Sequence, residues 1–170
     1  MLGLAAQWLG VTQTQANSVA PILISEEQGR HKSTFCRMLM PPQLARYYSD
    51  NLKLTAQGNP ERLLAEMGLL NMDEFDKFGA QKMPLLKNLM QMSSLNICKA
   101  YQKNFRSLPR IASFIGTSNR TDLLCDPTGS RRFICIEAEH DIDCTGIEHS
   151  QIYAQLKEEL LAGARHWFNK

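Results

Sequence analysis

The chain has 170 residues, 44% of them apolar and 21% charged, which is the size and balance of one soluble globular domain with a well-buried core. No apolar run approaches the roughly 18 residues a membrane span needs, and the apolar start at residues 1–10 carries no basic leader, so a secretory signal is not expected. A net charge of +2 excludes a global attraction to nucleic acid, so any such binding must come from a local patch.

Five cysteines, at 36, 98, 125, 135 and 144, make an odd count without C-x-x-C spacing. The simplest reading is a reduced, cytoplasmic setting. A zinc site built from Cys144, His140 and His149 is outweighed by small buried thiols and surface histidines.

In chain order, residues 1–9 read as an amphipathic helix ending near Gly10, and residues 11–20 as a polar loop. Residues 21–24, Pro-Ile-Leu-Ile, form a short buried strand. It leads through residues 25–31 into a helix over 32–40, stopped by Pro41 and Pro42. Asn59, Pro60 and Glu61 open a third helix with a capping residue, a first-turn proline and a first-turn acid. Leu63, Leu64 and Met67 give its apolar face, and Gly68 ends it.

Residues 69–74 read as a buried strand closing in two acids, and 80–92 as a helix with Pro84 in its first turn or at a kink. Residues 95–110 suit a hairpin or a long loop. Strands are expected at 111–116 and 133–136, and a last amphipathic helix over 150–168, with Ile152, Leu156, Leu160 and Trp167 near one face. This alternation predicts an α/β domain with a mostly parallel central sheet flanked by helices. The chain starts and stops in helical segments without linkers, so it is expected to be a single domain, 1–170, cut from a longer protein.

The strand–loop–helix unit at 21–40 carries the first chemical signal. A P-loop has the pattern G-x-x-x-x-G-K-S/T, in which backbone N–H groups wrap phosphates, the Lys neutralises them and the hydroxyl holds Mg²⁺. Lys32 and Ser33 fill the last two positions, but Glu26 and His31 stand where the glycines belong, with Gly29 between them. Taken alone, the segment also reads as an ordinary loop before a helix. The second signal is Asp73-Glu74 after an apolar strand, a Walker B pattern: the Asp orients Mg²⁺ through water and the Glu polarises the attacking water.

A third strand ends in Asn119, placed to sense a γ-phosphate. The adjacent Arg131 and Arg132 follow a glycine turn; one suits a carboxylate such as Asp126, the other a neighbouring subunit's nucleotide as an arginine finger. Phosphate loop, acidic pair, polar strand end and arginine pair follow the order of an oligomeric ATPase.

With these motifs, the chain resembles the P-loop domain of virulence-associated protein E-like proteins, in the VirE-type version of Bacteroides-like bacteria and their mobile elements. The match is carried by residues 21–25, Gln28-Gly29, Lys32-Ser-Thr-Phe35, Asp73-Glu-Phe75, Pro109-Arg110, the Gly-Thr-Ser-Asn within 113–119, the Gly-Ser-Arg-Arg-Phe within 126–133, and the helix at 151–155. That family is similar to superfamily 3 helicases and primase-associated ATPases within the AAA+ class.

The resemblance implies a P-loop NTPase fold and Mg²⁺-dependent ATP hydrolysis driving helicase work on phage, plasmid or island DNA. It also implies a homo-oligomeric ring, with a primase-like domain preceding this one. ATP would be bound by Gln28, Gly29, Arg30, His31, Lys32, Ser33 and Thr34, and Mg²⁺ by Ser33 and Asp73. Lys32, Glu74, Asn119 and Arg131 or Arg132 would act in catalysis. A DNA-facing segment is implied between Walker B and the sensor strand. There Lys99, Lys103, Arg106 and Arg110 interleave with Tyr101 and Phe105, charge for phosphates beside rings for base stacking. A nucleotide- or DNA-binding module without hydrolysis is the alternative. His31 replaces the family's glycine, and a left-handed backbone there costs a non-glycine residue roughly 1–2 kcal/mol. By that reckoning His31 weakens nucleotide binding by about one order of magnitude without abolishing it.

Overall fold

The computed structural model describes residues 1–11, 16–98, 105–120 and 132–167. Five strands form one parallel sheet: β1 (Ala20–Ile24), β2 (Tyr48–Ser49), β3 (Leu69–Met72), β6 (Ser113–Ser118) and β7 (Phe133–Glu137), in the order β2-β3-β6-β1-β7. A separate antiparallel hairpin joins β4 (Ser94–Cys98) to β5 (Phe105–Pro109). Among the described residues there are five α-helices: α1 (Leu2–Trp8), α2 (Lys32–Met38), α3 (Pro60–Glu66), α4 (Met83–Gln91) and α5 (His149–Leu161).

Strand residues alternate between two cores because successive side chains point to opposite faces. Ile22 and Ile24 of β1, Leu70 and Met72 of β3 and Phe114 of β6 pack with Leu64 of α3 and Leu86, Leu89 and Met90 of α4. On the other face Leu23, Leu69 and Ile115 pack with Leu4 of α1 and Cys36 of α2, and Tyr153 of α5 lies against them. Both faces of the central strands are covered, which is why they read as continuous apolar runs. Among the described residues no helix is long and apolar enough to cross a membrane.

The expected α/β architecture with a mostly parallel sheet is the one observed, with local differences. β6 begins two residues later than the apolar run suggests. The N–H groups of Ile111 and Ala112 donate to the Leu64 carbonyl in the last turn of α3, so these residues anchor the strand's start to a helix, while at its other end the pairing with β1 runs on through Thr117 and Ser118. β3 stops at Met72, and Glu74 then takes φ +51°. α5 ends at Leu161, followed by Gly163 at φ +82°. Trp167 therefore lies off the helix whose period seemed to include it. Pro84 sits in the first turn of α4, where its missing N–H breaks no helical bond.

Candidate functional site

All five sheet strands run the same way, and their C-terminal ends open on one edge, where open α/β sheets place their ligands. β6 lies between β1 and β3, so the end of β6 is set between the β1–α2 loop and the turn after β3. A cleft of about 380 Å³ opens there, lined by residues 28–34, Asp73, Glu74 and residues 117–119.

The β1–α2 loop is fastened at its start, where the Ser25 N–H donates to the Ser118 carbonyl at 3.2 Å. Two residues then turn with positive φ: Gly29 at +86° and His31 at +59°. His31 has ψ 20° and is the residue from which α2 begins, its carbonyl accepting the first helical bond from Phe35 N–H. The backbone therefore takes the left-handed turn even though the side chain is not glycine.

Lys32 is 8% exposed. Its Nζ donates to Ser25 Oγ at 2.6 Å, Asn119 Oδ1 at 2.9 Å and the Glu27 carbonyl at 3.4 Å. All three acceptors are uncharged oxygens. Burial pushes the Lys32 pKa down, opposed by Asp73 and reinforced by Arg30. A buried ammonium with no carboxylate bonded to it is poised to receive an anion.

Beside it, Ser33 Oγ donates to Asp73 Oδ1 at 2.8 Å, and Thr117 Oγ1 donates to the same oxygen at 2.5 Å. The Glu74 carboxylate is held by Lys77 at 2.6 Å, both side chains being exposed. Ser118 Oγ donates to Asp76 Oδ1 at 2.9 Å, tying the turn after β3 to the end of β6. At the far end of α2, the Tyr153 hydroxyl donates to Leu39 O at 2.7 Å, and His149 Nε2 lies 2.7 Å from Met38 O. α5 thereby caps the carbonyl end of the helix that carries Lys32 and Ser33.

Lys32, Ser33, Asp73, Glu74 and Asn119 come from three separate segments and meet in this one cleft with the residues of 28–34. The remaining candidate residues lie elsewhere. Arg106 is exposed on β5, opposite Ile97 in the hairpin register. Arg110, expected to face nucleic acid, is instead 1% exposed. Its guanidinium donates to Leu89 O, Met90 O, Asn17 O and Gln7 Oε1, and its own carbonyl accepts from the Gln7 amide. The guanidinium sits at the carbonyl end of α4, where the helix dipole favours a cation, and burial pushes its pKa down to about 10. Arg110 is a structural tie between α1, α4 and the base of the hairpin, and its position corrects the expectation of a DNA contact.

Arg132 is half-buried beside Phe133, which pairs with Ala20 at the start of β1. It therefore lies at the opposite end of the sheet from the cleft, roughly 16 Å away at about 3.3 Å per strand residue. Arg131, Lys99, Lys103, Tyr101 and Asp126 lie outside the described residues.

Sequence reasoning missed Ser25, Thr117, Asp76 and Lys77. Thr117 offered a signal: it stands directly before Ser118-Asn119, and once the strand runs on to residue 118 its side chain sits at the strand mouth.

An open parallel α/β sheet with a polar, lysine-bearing cleft at the strand ends defines the class of domain. The chain belongs to the virulence-associated protein E-like domain family, whose model matches residues 11–170. No curated protein matches. Among solved structures, it is similar to the apo C-terminal region of NrS-1. One such structure aligns with a TM-score of 0.55 at 21% identity, covering 95% of this chain and 40% of that one. An A form aligns with a TM-score of 0.52 at 21% identity, covering 92% and 37%. The chain spans about two fifths of those structures, and at this identity the likeness shows the fold alone.

Proposed function

We propose that this domain binds ATP with Mg²⁺ in the cleft between β1, β3 and β6 and hydrolyses it, as the motor of a helicase-type protein replicating mobile-element DNA. The observation that carries the reading is the convergence of Lys32 with Asn119 at 2.9 Å and of Ser33 with Asp73 at 2.8 Å. These are pairs 87 and 40 residues apart in sequence. Separate strands deliver a phosphate-binding cation, a hydroxyl–carboxylate pair and a polar sensor to one place, as phosphoryl transfer requires.

Lys32 exchanges its three neutral acceptors for β- and γ-phosphate oxygens, and the N–H groups of residues 28–34 surround the phosphates. The Ser33 hydroxyl and the Asp73 carboxylate form an all-oxygen donor pair that fits Mg²⁺ with its retained waters. That ion, when bound, neutralises charge on the β- and γ-phosphates. Glu74 accepts the proton of the attacking water once it leaves Lys77, and Asn119 orients the γ-phosphate. Arg132 is too far from the cleft of its own chain. Arg131 or Arg132 would instead act on a neighbour's nucleotide across the interface of a homo-oligomeric ring. Arg106 on the hairpin, with Lys99 and Lys103 in its connection, supplies the DNA contacts.

A binding module without hydrolysis is the second reading, favoured by the Glu74–Lys77 pair and by histidine at position 31. Titration of ATP–Mg²⁺ combined with a phosphate-release assay separates the two. Lys32→Ala should abolish binding, while Glu74→Gln should bind ATP and lose turnover. ATP binding by the wild-type chain with no phosphate release, in the presence of DNA and at high protein concentration, selects the module.

A further inference from the structure

The β1–α2 loop holds a second cation besides Lys32. The Arg30 side chain is only 19% exposed, and its guanidinium meets Glu27 at 2.6 Å and Asp141 at 3.4 Å. Its Nε is buried and has no hydrogen-bond partner among the described residues. Arg30 also lines the cleft and lies close enough to Lys32 to act on its charge. The segment that supplies Asp141 leaves β7 alongside β1, with Ala138 N–H donating to Ile24 O, and then touches the loop itself, where Ile142 N–H donates to the Arg30 carbonyl at 3.3 Å.

Both carboxylate partners are weakly committed. The Glu27 and Asp141 side chains are 72% and 73% exposed, and pairs this open to water contribute little. A triphosphate brings several negative charges into the same cleft and offers a guanidinium paired oxygens that match its fork.

We propose that Arg30 is a second polyphosphate-binding residue of the cleft, held in reserve by Glu27 and Asp141 until a nucleoside triphosphate draws it away. The inference rests on the nucleotide-binding reading and deepens it in two ways. It gives the loop a compensating charge for Glu26 and Glu27, the acids that stand within it. It also makes the segment after β7 responsive to occupancy, because Asp141 loses its partner when the cleft fills. That segment leads into α5, which caps α2.

The test is calorimetric titration of ATP–Mg²⁺ into the full chain in five forms: wild type, Arg30→Gln, Arg30→Lys, the double variant Glu27→Gln/Asp141→Asn, and the triple variant that adds Arg30→Gln to it. Releasing Arg30 from its acids should tighten binding by about two- to fivefold, the scale of exposed ion pairs. Arg30→Gln should weaken binding by about three- to tenfold, and Arg30→Lys should recover part of that loss. In the Arg30→Gln background, removing the two acids should then change affinity by less than about 1.5-fold, because the acids act through Arg30. An undiminished gain in that background means a plain field effect and overturns the proposal, as does unaltered binding in Arg30→Gln. A wild-type chain that binds no ATP fails the nucleotide reading itself and the inference with it, a result distinct from either of those.

Discussion

Replacing His31 with glycine separates strain carried by the fold from strain carried by binding. The fold holds His31 at φ +59°, ψ 20°, so the cost of that backbone, about 1–2 kcal/mol for a residue with a Cβ, weighs on folding. Glycine removes the strain, but it also adds about 0.4–1 kcal/mol of entropy to the unfolded chain. The net gain is therefore about 0–1.6 kcal/mol. A domain of this size shifts by about 2–4 °C per kcal/mol, so Tm should rise by about 0–6 °C, most simply 2–3 °C.

His31→Ala keeps the strain and should leave Tm near the wild type, with His31→Asn between the two, since asparagine tolerates this region better. The ATP Kd of His31→Gly should stay within about threefold of wild type, because the left-handed turn belongs to the fold itself. The sequence alone assigns the strain to binding and predicts a tenfold change instead. Thermal unfolding alongside titration reads both quantities. A tenfold tighter Kd with an unmoved Tm would refute this reasoning.

Five further outcomes follow from the same geometry. Arg110→Ala leaves the carbonyls of Leu89, Met90 and Asn17 without their donor and opens a cavity. It should lose at least about 3 kcal/mol in denaturant unfolding, and a loss under 1 kcal/mol contradicts the role assigned to it. Arg106→Ala should weaken single-stranded DNA binding and lower the salt slope by about one unit; an unaltered slope removes Arg106 from the interface.

Tyr153→Phe deletes the bond to Leu39 O and should cost about 0.5–1.5 kcal/mol in chemical denaturation, with no effect taken as evidence that α5 does not hold α2. Burial pushes the Cys36 thiol, and the Tyr48 and Tyr153 hydroxyls, up to about 12. The folded chain thus keeps protons that the unfolded chain releases from about pH 9 upward, so stability should fall between about pH 9 and 12. Cys36 should also resist alkylation at pH 8 until the chain unfolds, and site-resolved mass spectrometry checks this.

Much of the site was legible because its residues follow directly on apolar runs. Ile22 to Ile24 announce β1 and point to Lys32 and Ser33 one loop later, and Leu69 and Leu70 do the same for Asp73 and Glu74. A buried parallel strand has to end somewhere, and the first polar residues past its end fall on the ligand edge.

What the sequence hid depends on distant partners. Arg110 looks like one more base in a basic and aromatic stretch, and only Gln7 and Asn17, about a hundred positions earlier, reveal it as buried. The late start of β6 depends on the Leu64 carbonyl taking the N–H groups of residues 111 and 112, and its extension to Ser118 on pairing with Ile24 of β1, which no local pattern records. Lys77 was invisible because Glu74 turns left-handed after β3, and that turn brings the two side chains together. The helical period of α5 ran on past Gly163 for the same reason: periodicity registers a face and not the residue that ends it.

The central claim is that the cleft binds a nucleoside triphosphate with its metal, and a crystal structure with a non-hydrolysable ATP analogue and Mg²⁺ tests it most directly. In that structure Lys32 Nζ should leave Ser25 and Asn119 for β- and γ-phosphate oxygens, and Ser33 Oγ should turn from Asp73 to the metal. His31 keeps its left-handed backbone. An empty cleft at saturating analogue, or an analogue bound elsewhere with Lys32 still on Asn119, would contradict it.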